Sequence, residues 1–235
     1  MSILVTCETG GYRMPPILND PAKDRSAVSF RDADLCGLKL ATEISSILQA
    51  PCLSHPYHAG CIDVSRPLDN RKLFGRFAKS LNTEDRNRLL ESVYQNYHQT
   101  VQHAIERILQ QFTFVVHLSV RSFAPIKKGR RIRTDVGLLY DPSRSYESDL
   151  CMDWIDEVYF NFGNLRVRRN YPARGTRNGL LGSMREQFSP EHYLGIEIWV
   201  NRWWANRQSS IRDEAVYELS EGLRMTIGLP VCEAA

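Results

Sequence analysis

Short apolar runs alternate along the chain with longer segments whose apolar residues recur at helical spacing. The runs predict β-strands at Ile3–Cys7, Cys61–Val64, Phe112–Val120, Val136–Tyr140, Leu165–Val167 and Tyr193–Val200. The segment Phe112–Val120 is rich in β-branched and aromatic residues, which are favoured in strands. Val136–Tyr140 is followed by Asp141-Pro142-Ser143, a sequence typical of turns.

Four segments have the apolar periodicity of amphipathic helices. They are 35–48, 83–109, 147–160 and 210–227. Thr83 is a candidate N-cap for the longest, and Gly228 and Pro230 follow the last. Helices that alternate with strands in this way predict an α/β protein with helices on both faces of a sheet. In such sheets the functional groups lie on loops beyond the strand ends.

Length and composition are those of one ordinary globular domain, which we predict to span residues 1–235. Hydrophobic residues make up 43% and charged residues 24% of the 235, and the net charge is +3. No repeat, linker, signal peptide or membrane span is visible, and the six cysteines form no CxxC pair. We therefore expect a cytoplasmic protein with reduced cysteines and with neither a nucleic-acid nor a membrane partner.

Segments rich in polar or glycine residues follow several of the predicted strands. They are Cys7-Glu8-Thr9-Gly10-Gly11, Ile62-Asp63-Val64-Ser65-Arg66, Ser119-Val120-Arg121-Ser122-Phe123-Ala124-Pro125, Asp135-Val136-Gly137-Leu138, Val167-Arg168-Arg169-Asn170-Tyr171-Pro172 and Tyr193-Leu194-Gly195-Ile196-Glu197. Loops of this kind converge on one edge of an α/β sheet. They would bring carboxylates and arginines together there.

Taken in this order, the segments resemble the N-formylglutamate amidohydrolase family from Val5 to Asn201, most strongly over 116–142 and 167–175. The resemblance implies a three-layer α/β/α sandwich with a mixed sheet, of the phosphorylase/hydrolase-like fold. It also implies hydrolysis of N-formylglutamate, or of a related N-acyl amino acid, at the C–N bond. That chemistry uses a zinc ion to activate water, a carboxylate to accept the water's proton, and an arginine to hold the substrate carboxylate.

Two positions depart from the family pattern in a way that affects the zinc site. Thr9 and Arg121 stand where the family motifs have histidine, while Glu8 is retained. A threonine hydroxyl is a poor zinc ligand, and a guanidinium cannot coordinate a cation. We therefore predict that Glu8, Thr9 and Arg121 form a degenerate metal site that binds no metal. No other cofactor is expected.

The resemblance assigns roles to further residues. Glu197 stands at the position of the general base and Arg66 at the family's arginine, although Ser65 replaces the usual asparagine before it. Both are candidate catalytic residues. The candidate substrate-binding residues are Arg66, Arg121, Asp135, Arg169 and Asn170. Ala173 and Asn178 replace a usual tyrosine and aspartate, which predicts a remodelled pocket.

Several alternatives remain open at this stage. Arg121 is either a surrogate cation in the metal position or a neutral replacement, and Glu197 is either a base or a member of a structural ion pair. His55 and His58 are weak candidates for substitute ligands. Two function hypotheses follow: an amidohydrolase with a rearranged or metal-poor site, and a pseudoenzyme that binds a small carboxylate-bearing ligand or a protein partner. The oligomeric state is not predicted.

Overall fold

The computed structural model describes residues 2–18, 33–163, 165–177, 179–205 and 209–229. Its strands are β1 (Ser2–Cys7), β2 (Cys52–Ser54), β3 (Val115–Phe123), β4 (Ile126–Lys127), β5 (Arg130–Arg131), β6 (Val136–Leu139), β7 (Val167–Arg169) and β8 (Tyr193–Asn201). Six of them form one sheet in the order β2-β1-β3-β8-β6-β7, and β4 and β5 form a hairpin. The first four strands of the sheet are parallel, and β6 pairs antiparallel with β8, so the sheet is mixed as predicted.

Helices cover both faces of this sheet. They are α1 (Leu35–Ile47), α2 (Thr83–Leu89), α3 (Asn96–Leu109), α4 (Ser145–Asn161), α5 (Gly179–Gln187), α6 (Arg202–Ala205) and α7 (Ser209–Thr226), with a π-helical segment at Leu90–Gln95. This confirms the predicted three-layer α/β architecture. None of the helices in the described ranges combines the length and apolarity needed to cross a bilayer.

The alternation of side chains along the strands produces two hydrophobic cores. On one face, alternate residues of β3 (Val116, Leu118 and Val120) pack with residues of α1, α4 and α7. On the other face, Val115 of β3 packs with residues of α3 and α5. His117, Ser119 and Arg121 also project from this second face, which we call the site face. Along β3, the side chains on the site face are therefore apolar at the start of the strand and polar toward its end.

One predicted strand is wrong. Cys61–Val64 lies in a loop in which Ile62 makes only an isolated bridge to Phe74, and the second strand is instead β2, beside β1. The loop is apolar because Cys61, Ile62 and Val64 are fully buried in the second core. A short buried run has the same pattern whether its backbone is paired or not.

Two helix predictions also need correction. Thr83 is the first residue of α2, and the N-cap is Asn82, whose side chain accepts a hydrogen bond from the Asp85 amide at 2.8 Å. Helix α5 was not predicted, because Gly179 and Gly182 are poor helix formers. A Cβ at Gly179 would lie 2.3 Å from the Arg66 carbonyl carbon, so this helix start requires glycine to pack against the loop.

Candidate functional site

The strand register places a row of polar residues across the site face. Thr6 of β1 is opposite Ser119 of β3, and Ser119 is opposite Glu197 of β8. All three are buried. Glu8 lies two residues beyond Thr6, at the end of β1, so its side chain is on the same face as Arg121. The predicted site residues Glu8, Arg121 and Glu197 are therefore brought together.

A chain of buried hydrogen bonds runs beneath this row. The Thr6 hydroxyl donates to Glu8 Oε1 at 2.5 Å, so the 2.9 Å contact between Thr6 Oγ1 and His117 Nε2 requires the imidazole to donate. His117 Nδ1 must then accept the hydrogen bond of the Tyr193 hydroxyl, at 2.8 Å. Burial, together with the charge of Arg185, lowers the His117 pKa to about 3, which is consistent with this neutral imidazole.

Both oxygens of the Glu8 carboxyl group are engaged by hydroxyl donors. Thr6 donates to Oε1, and Ser119 donates to Oε2 at 2.7 Å. Burial raises the Glu8 pKa, while the two hydroxyl hydrogen bonds and the charge of Arg121 oppose that shift. The guanidinium of Arg121 thus contributes positive potential at the retained carboxylate.

Thr9 is held by a residue that the sequence analysis missed. Its hydroxyl donates to the Asp34 carboxylate at 3.2 Å, and the Asp34 amide donates back to the Thr9 carbonyl at 3.0 Å. Asp34 is also the N-cap of α1, accepting from the Gly37 amide, and it accepts from the Ser122 amide at 2.7 Å. The aspartate directly before the predicted helix at Leu35 was the available signal for this cap.

Arg121 stacks on an aromatic ring. Its Cζ lies 4.8 Å from the centroid of Trp199, the residue opposite it on β8. The Trp199 indole N–H in turn donates to Glu197 Oε2 at 2.9 Å. Within the described part of the chain, Arg121 has neither a hydrogen bond nor a carboxylate at ion-pairing distance. No acceptor among the described residues occupies its N–H groups.

His55 lies at the opposite end of the row from β8. Its amide donates to the Cys7 carbonyl at 2.9 Å, which places it beside Glu8. His55 Nδ1 donates to the Tyr57 carbonyl at 3.1 Å, so Nε2 carries the lone pair, and this buried atom has no hydrogen-bond partner in the described residues. Burial lowers the His55 pKa to about 4, although the Tyr57 carbonyl and the Asp63 carboxylate oppose the shift.

Arg66 is paired with Asp63, at 2.7 Å between Nε and Oδ2, and its side chain is 37% exposed. Asp63 also accepts from the Ser65 amide and hydroxyl. Because the Asp63 charge acts on His55, this ion pair lies on the β2 side of the row. Ser65, which replaces the family's asparagine, orients Asp63.

The remaining predicted substrate-binding residues are engaged elsewhere. The buried Asp135 carboxylate accepts from Arg166 Nε at 2.8 Å and Nη2 at 2.9 Å. Arg169 is opposite Leu138, a residue of the first core, so it projects from the face opposite the site. Asn170 Oδ1 accepts from the Tyr140 and Gly175 amides and so shapes the loop after β7. Asn178 lies outside the described residues.

The donor set around Thr9 and Arg121 does not fit zinc. A zinc site in a protein usually has three or four His, Cys, Asp or Glu ligands. Glu8 is committed to two hydroxyls, Thr9 to Asp34, and Arg121 carries a positive charge. His55 Nε2 is the one imidazole lone pair at the row that lacks a partner among the described residues. The described residues contain no group of three such ligands arranged for a metal.

Comparisons with known proteins agree with this architecture. The sequence profile of N-formylglutamate amidohydrolase matches residues 1–202. The structure is similar to that of gene product Atu2144 from Agrobacterium tumefaciens, with a TM-score of 0.79, 19% identity, and coverage of 97% of this chain and 90% of that one. It is also similar to N-formylglutamate amidohydrolase from Ralstonia eutropha JMP134, with a TM-score of 0.68, 17% identity, and coverage of 97% and 93%. A search of curated sequences finds no significant match.

Proposed function

The chain belongs to the N-formylglutamate amidohydrolase family, and we propose that it is a metal-independent member whose site binds a small carboxylate-bearing ligand without hydrolysing it. The proposal also includes one domain over residues 1–235, a cytoplasmic location, no cofactor and no nucleic-acid or membrane partner.

The position and surroundings of Arg121 carry this proposal. It stands where the family motif has histidine, and its guanidinium lies over the Trp199 ring and is not paired with a described carboxylate. A guanidinium over an aromatic ring can keep N–H edges directed away from the ring. Those edges match a carboxylate bidentately, which is among the stronger hydrogen-bonding arrangements in proteins. Arg121 is therefore suited to hold an anion at the position of the family's metal.

Loss of hydrolysis follows from the same substitution. Amide hydrolysis in this family depends on an ion that polarises the carbonyl and activates water. General acid–base assistance by a residue such as Glu197 supplies only roughly 10²–10⁴-fold acceleration on its own. In addition, the Glu197 carboxylate already accepts the Trp199 indole N–H at 2.9 Å. The retained carboxylates therefore lack the electrophile that the reaction needs.

The alternative, an amidohydrolase with a rearranged metal site, draws on one observation. His55, whose amide binds the carbonyl of Cys7 next to Glu8 in the chain, has a buried Nε2 lone pair with no hydrogen-bond partner among the described residues. One imidazole and one committed carboxylate fall short of the three protein ligands typical of catalytic zinc sites. We therefore place this function second.

Titration calorimetry with glutarate on chelator-treated protein tests the proposal. We expect saturable one-to-one binding that weakens at least about tenfold in Arg121→Gln, because charge-assisted hydrogen bonds contribute about 1.5–3 kcal/mol. Arg88→Gln is the matched control, since Arg88 lies on α2 and pairs with Glu84. Unchanged affinity in Arg121→Gln, or N-formylglutamate hydrolysis by the chelator-treated protein, would refute the proposal.

A further inference from the structure

The outward faces of α4 and α7 carry large apolar side chains that no described part of the chain covers. The indole N–H of Trp154 on α4 donates to the Leu219 carbonyl of α7 at 2.8 Å, so the two helices lie side by side over the first core. Phe160, near the end of α4, is 90% exposed. Almost half of the large apolar side chains that the described chain exposes belong to these two helices: Tyr146, Met152, Tyr159, Phe160, Tyr217 and Met225. We call the outward faces that carry them the α4–α7 surface.

Acidic residues lie between the apolar side chains of α4. Positions 146, 149, 153, 156 and 160 are three or four residues apart, so their side chains share the outward face of the helix. Tyr146 and Phe160 stand at the ends of this stripe. Between them are three exposed aspartates: Asp149, Asp153 and Asp156. Helix α4 contains no lysine or arginine, and its ion pairs among the described residues are those of the buried Glu147. The charge of the three aspartates is therefore not offset by any described cation.

The β4–β5 hairpin carries the opposite charge. Residues 126–133 contain five basic and no acidic side chains, and every residue of the segment except Ile132 is exposed. A Cβ at Gly129, in the turn, would meet nothing within 4 Å, so the tip of the hairpin projects into solvent. Ile126 adds an exposed apolar side chain at the start of β4. Within the described part of the chain, none of the basic side chains has an ion pair: Lys127, Lys128, Arg130, Arg131 and Arg133.

The hairpin and the α4–α7 surface are complementary in charge, and no ion pair between described residues joins them within one molecule. We propose that the β4–β5 hairpin of one molecule docks on the α4–α7 surface of a second copy of this chain. Its basic side chains lie against the aspartates of α4, and Ile126 lies against the exposed ring of Phe160. Because the two surfaces differ, the contact is head to tail and propagates into a ring or an open chain. The inference does not depend on the proposed function, since neither surface includes Arg121.

Sedimentation velocity of the wild-type protein measures this self-association. At about 0.1 M salt we expect the average sedimentation coefficient to rise as the protein concentration increases from about 10 to about 200 µM. At about 1 M salt it should stay at the monomer value, because the screening length falls from about 10 Å to about 3 Å. A wild-type protein that remains monomeric over this concentration range at the lower salt concentration would refute the proposal.

Two variants separate the two surfaces. The hairpin variant, Lys128→Glu with Arg130→Glu, places negative charge against the aspartates of α4 and should weaken association at least about tenfold. The surface variant removes three negative charges and should weaken association at least about threefold: it combines Asp149→Asn, Asp153→Asn and Asp156→Asn. An equimolar mixture should regain the wild-type affinity but stop at one-to-one pairs, because each pair contains one intact hairpin and one intact α4–α7 surface. A mixture that stays monomeric would show that the hairpin and this surface do not contact each other.

The matched control for the hairpin variant is Arg71→Glu with Lys72→Glu. These exposed residues lie outside both surfaces, and their substitution changes the net charge by the same amount. The control should associate like the wild-type protein. An equal loss of association in the control and in the hairpin variant would overturn the proposal, because it would show a general effect of net charge. All the substituted side chains are exposed, so circular dichroism should show wild-type folding in every variant.

Discussion

At the scale of single residues, the substitutions at positions 9 and 121 have been absorbed into new interactions. Thr9 is tied to Asp34, which also caps α1 and binds Ser122, so this residue connects the end of β1 to a helix start. Arg121 is tied to Trp199, which binds Glu197. Restoring a histidine at position 9 alone would break a hydrogen bond to the half-buried Asp34 cap without removing the positive charge of Arg121.

The lowered pKa of His55 predicts how the stability of the protein depends on pH. Its folded pKa of about 4 is below the ordinary value of 6.5, so the unfolded chain binds a proton that the folded protein does not. The contribution of neutral His55 to the free energy of unfolding is therefore fully present above pH 6.5 and is lost as the pH falls toward 4. The loss approaches about 3 kcal/mol at about 1.4 kcal/mol per pKa unit.

The variant His55→Asn isolates this effect, because its amide N–H can replace the Nδ1–H donor to Tyr57 and does not titrate. Urea unfolding at pH 7 and pH 4 should show that the variant loses less stability on acidification than the wild-type protein. An identical acid-induced loss in both proteins would contradict the neutral, buried assignment of His55. Burial also lowers the pKa of His117 to about 3. Because both proteins contain His117, its effect on acid stability cancels in the comparison.

The sequence predicted which residue types lie at the site better than it predicted which residues contact one another there. Glu8, Arg121 and Glu197 lie on one face of the sheet, because Glu8 directly follows β1 while Arg121 and Glu197 occupy same-face positions of the neighbouring strands β3 and β8. The aromatic partner Trp199 and the projection of Arg169 from the opposite face were not predicted. Both depend on strand register, and a shift of one residue reverses which face a side chain occupies.

At the scale of secondary-structure elements, one buried ion pair joins α4, α5 and β8. Glu147 of α4 is fully buried and accepts from Arg185 of α5 at 2.9 and 2.8 Å, and from the Gly195 amide of β8 at 3.0 Å. Arg185 also donates to the Gly195 and Gly175 carbonyls. Glu147 is fully buried and the Arg185 side chain is only 7% exposed, so each relies on the other and on the backbone groups for its hydrogen bonds.

Removing one partner of the cluster should be costly. We expect Arg185→Leu to lower the free energy of unfolding by about 3–5 kcal/mol, because it removes the bidentate partner of the buried Glu147 charge and leaves only Arg144, whose Nε is 3.7 Å from Glu147 Oε1. Urea denaturation monitored by tryptophan fluorescence measures the change. The control Arg88→Leu removes an arginine from an exposed pair with Glu84 and should change stability by no more than about 1 kcal/mol. Similar small effects in both variants would show that the cluster adds little.

Element prediction succeeded where periodicity was long and failed where it was short. The helices α1, α4 and α7 and the strands β1, β3, β6 and β8 all lie at predicted positions. Elements that were missed include β2, with three residues, and α5, with nine residues and two glycines near its start. Both are specified by tertiary packing, β2 by pairing with β1 and α5 by burial against the loop around Arg66. Neither kind of contact is visible in a local pattern.

At the scale of the whole molecule, the two faces of the sheet differ: one carries an apolar core and the other carries the polar residues of the candidate site. One face is covered by α1, α4 and α7 over a continuous apolar core. The other changes along its strands from apolar packing at Val115 and Tyr193, through His117 and Thr6, to Glu8 and Arg121. This gradient places charged groups where the four parallel strands end, which is the position expected for a ligand site in an α/β sheet.

The zinc content of the protein is the most direct test of this account. Protein incubated with excess zinc and then desalted should contain far less than one zinc per chain by elemental analysis, because Thr9 and Arg121 leave too few ligands. The double variant Thr9→His with Arg121→His serves as the comparison, and it should retain more zinc than the wild-type protein. One tightly held zinc per wild-type chain, lost on substitution of Glu8 or His55, would contradict the account and support a metal-dependent hydrolase.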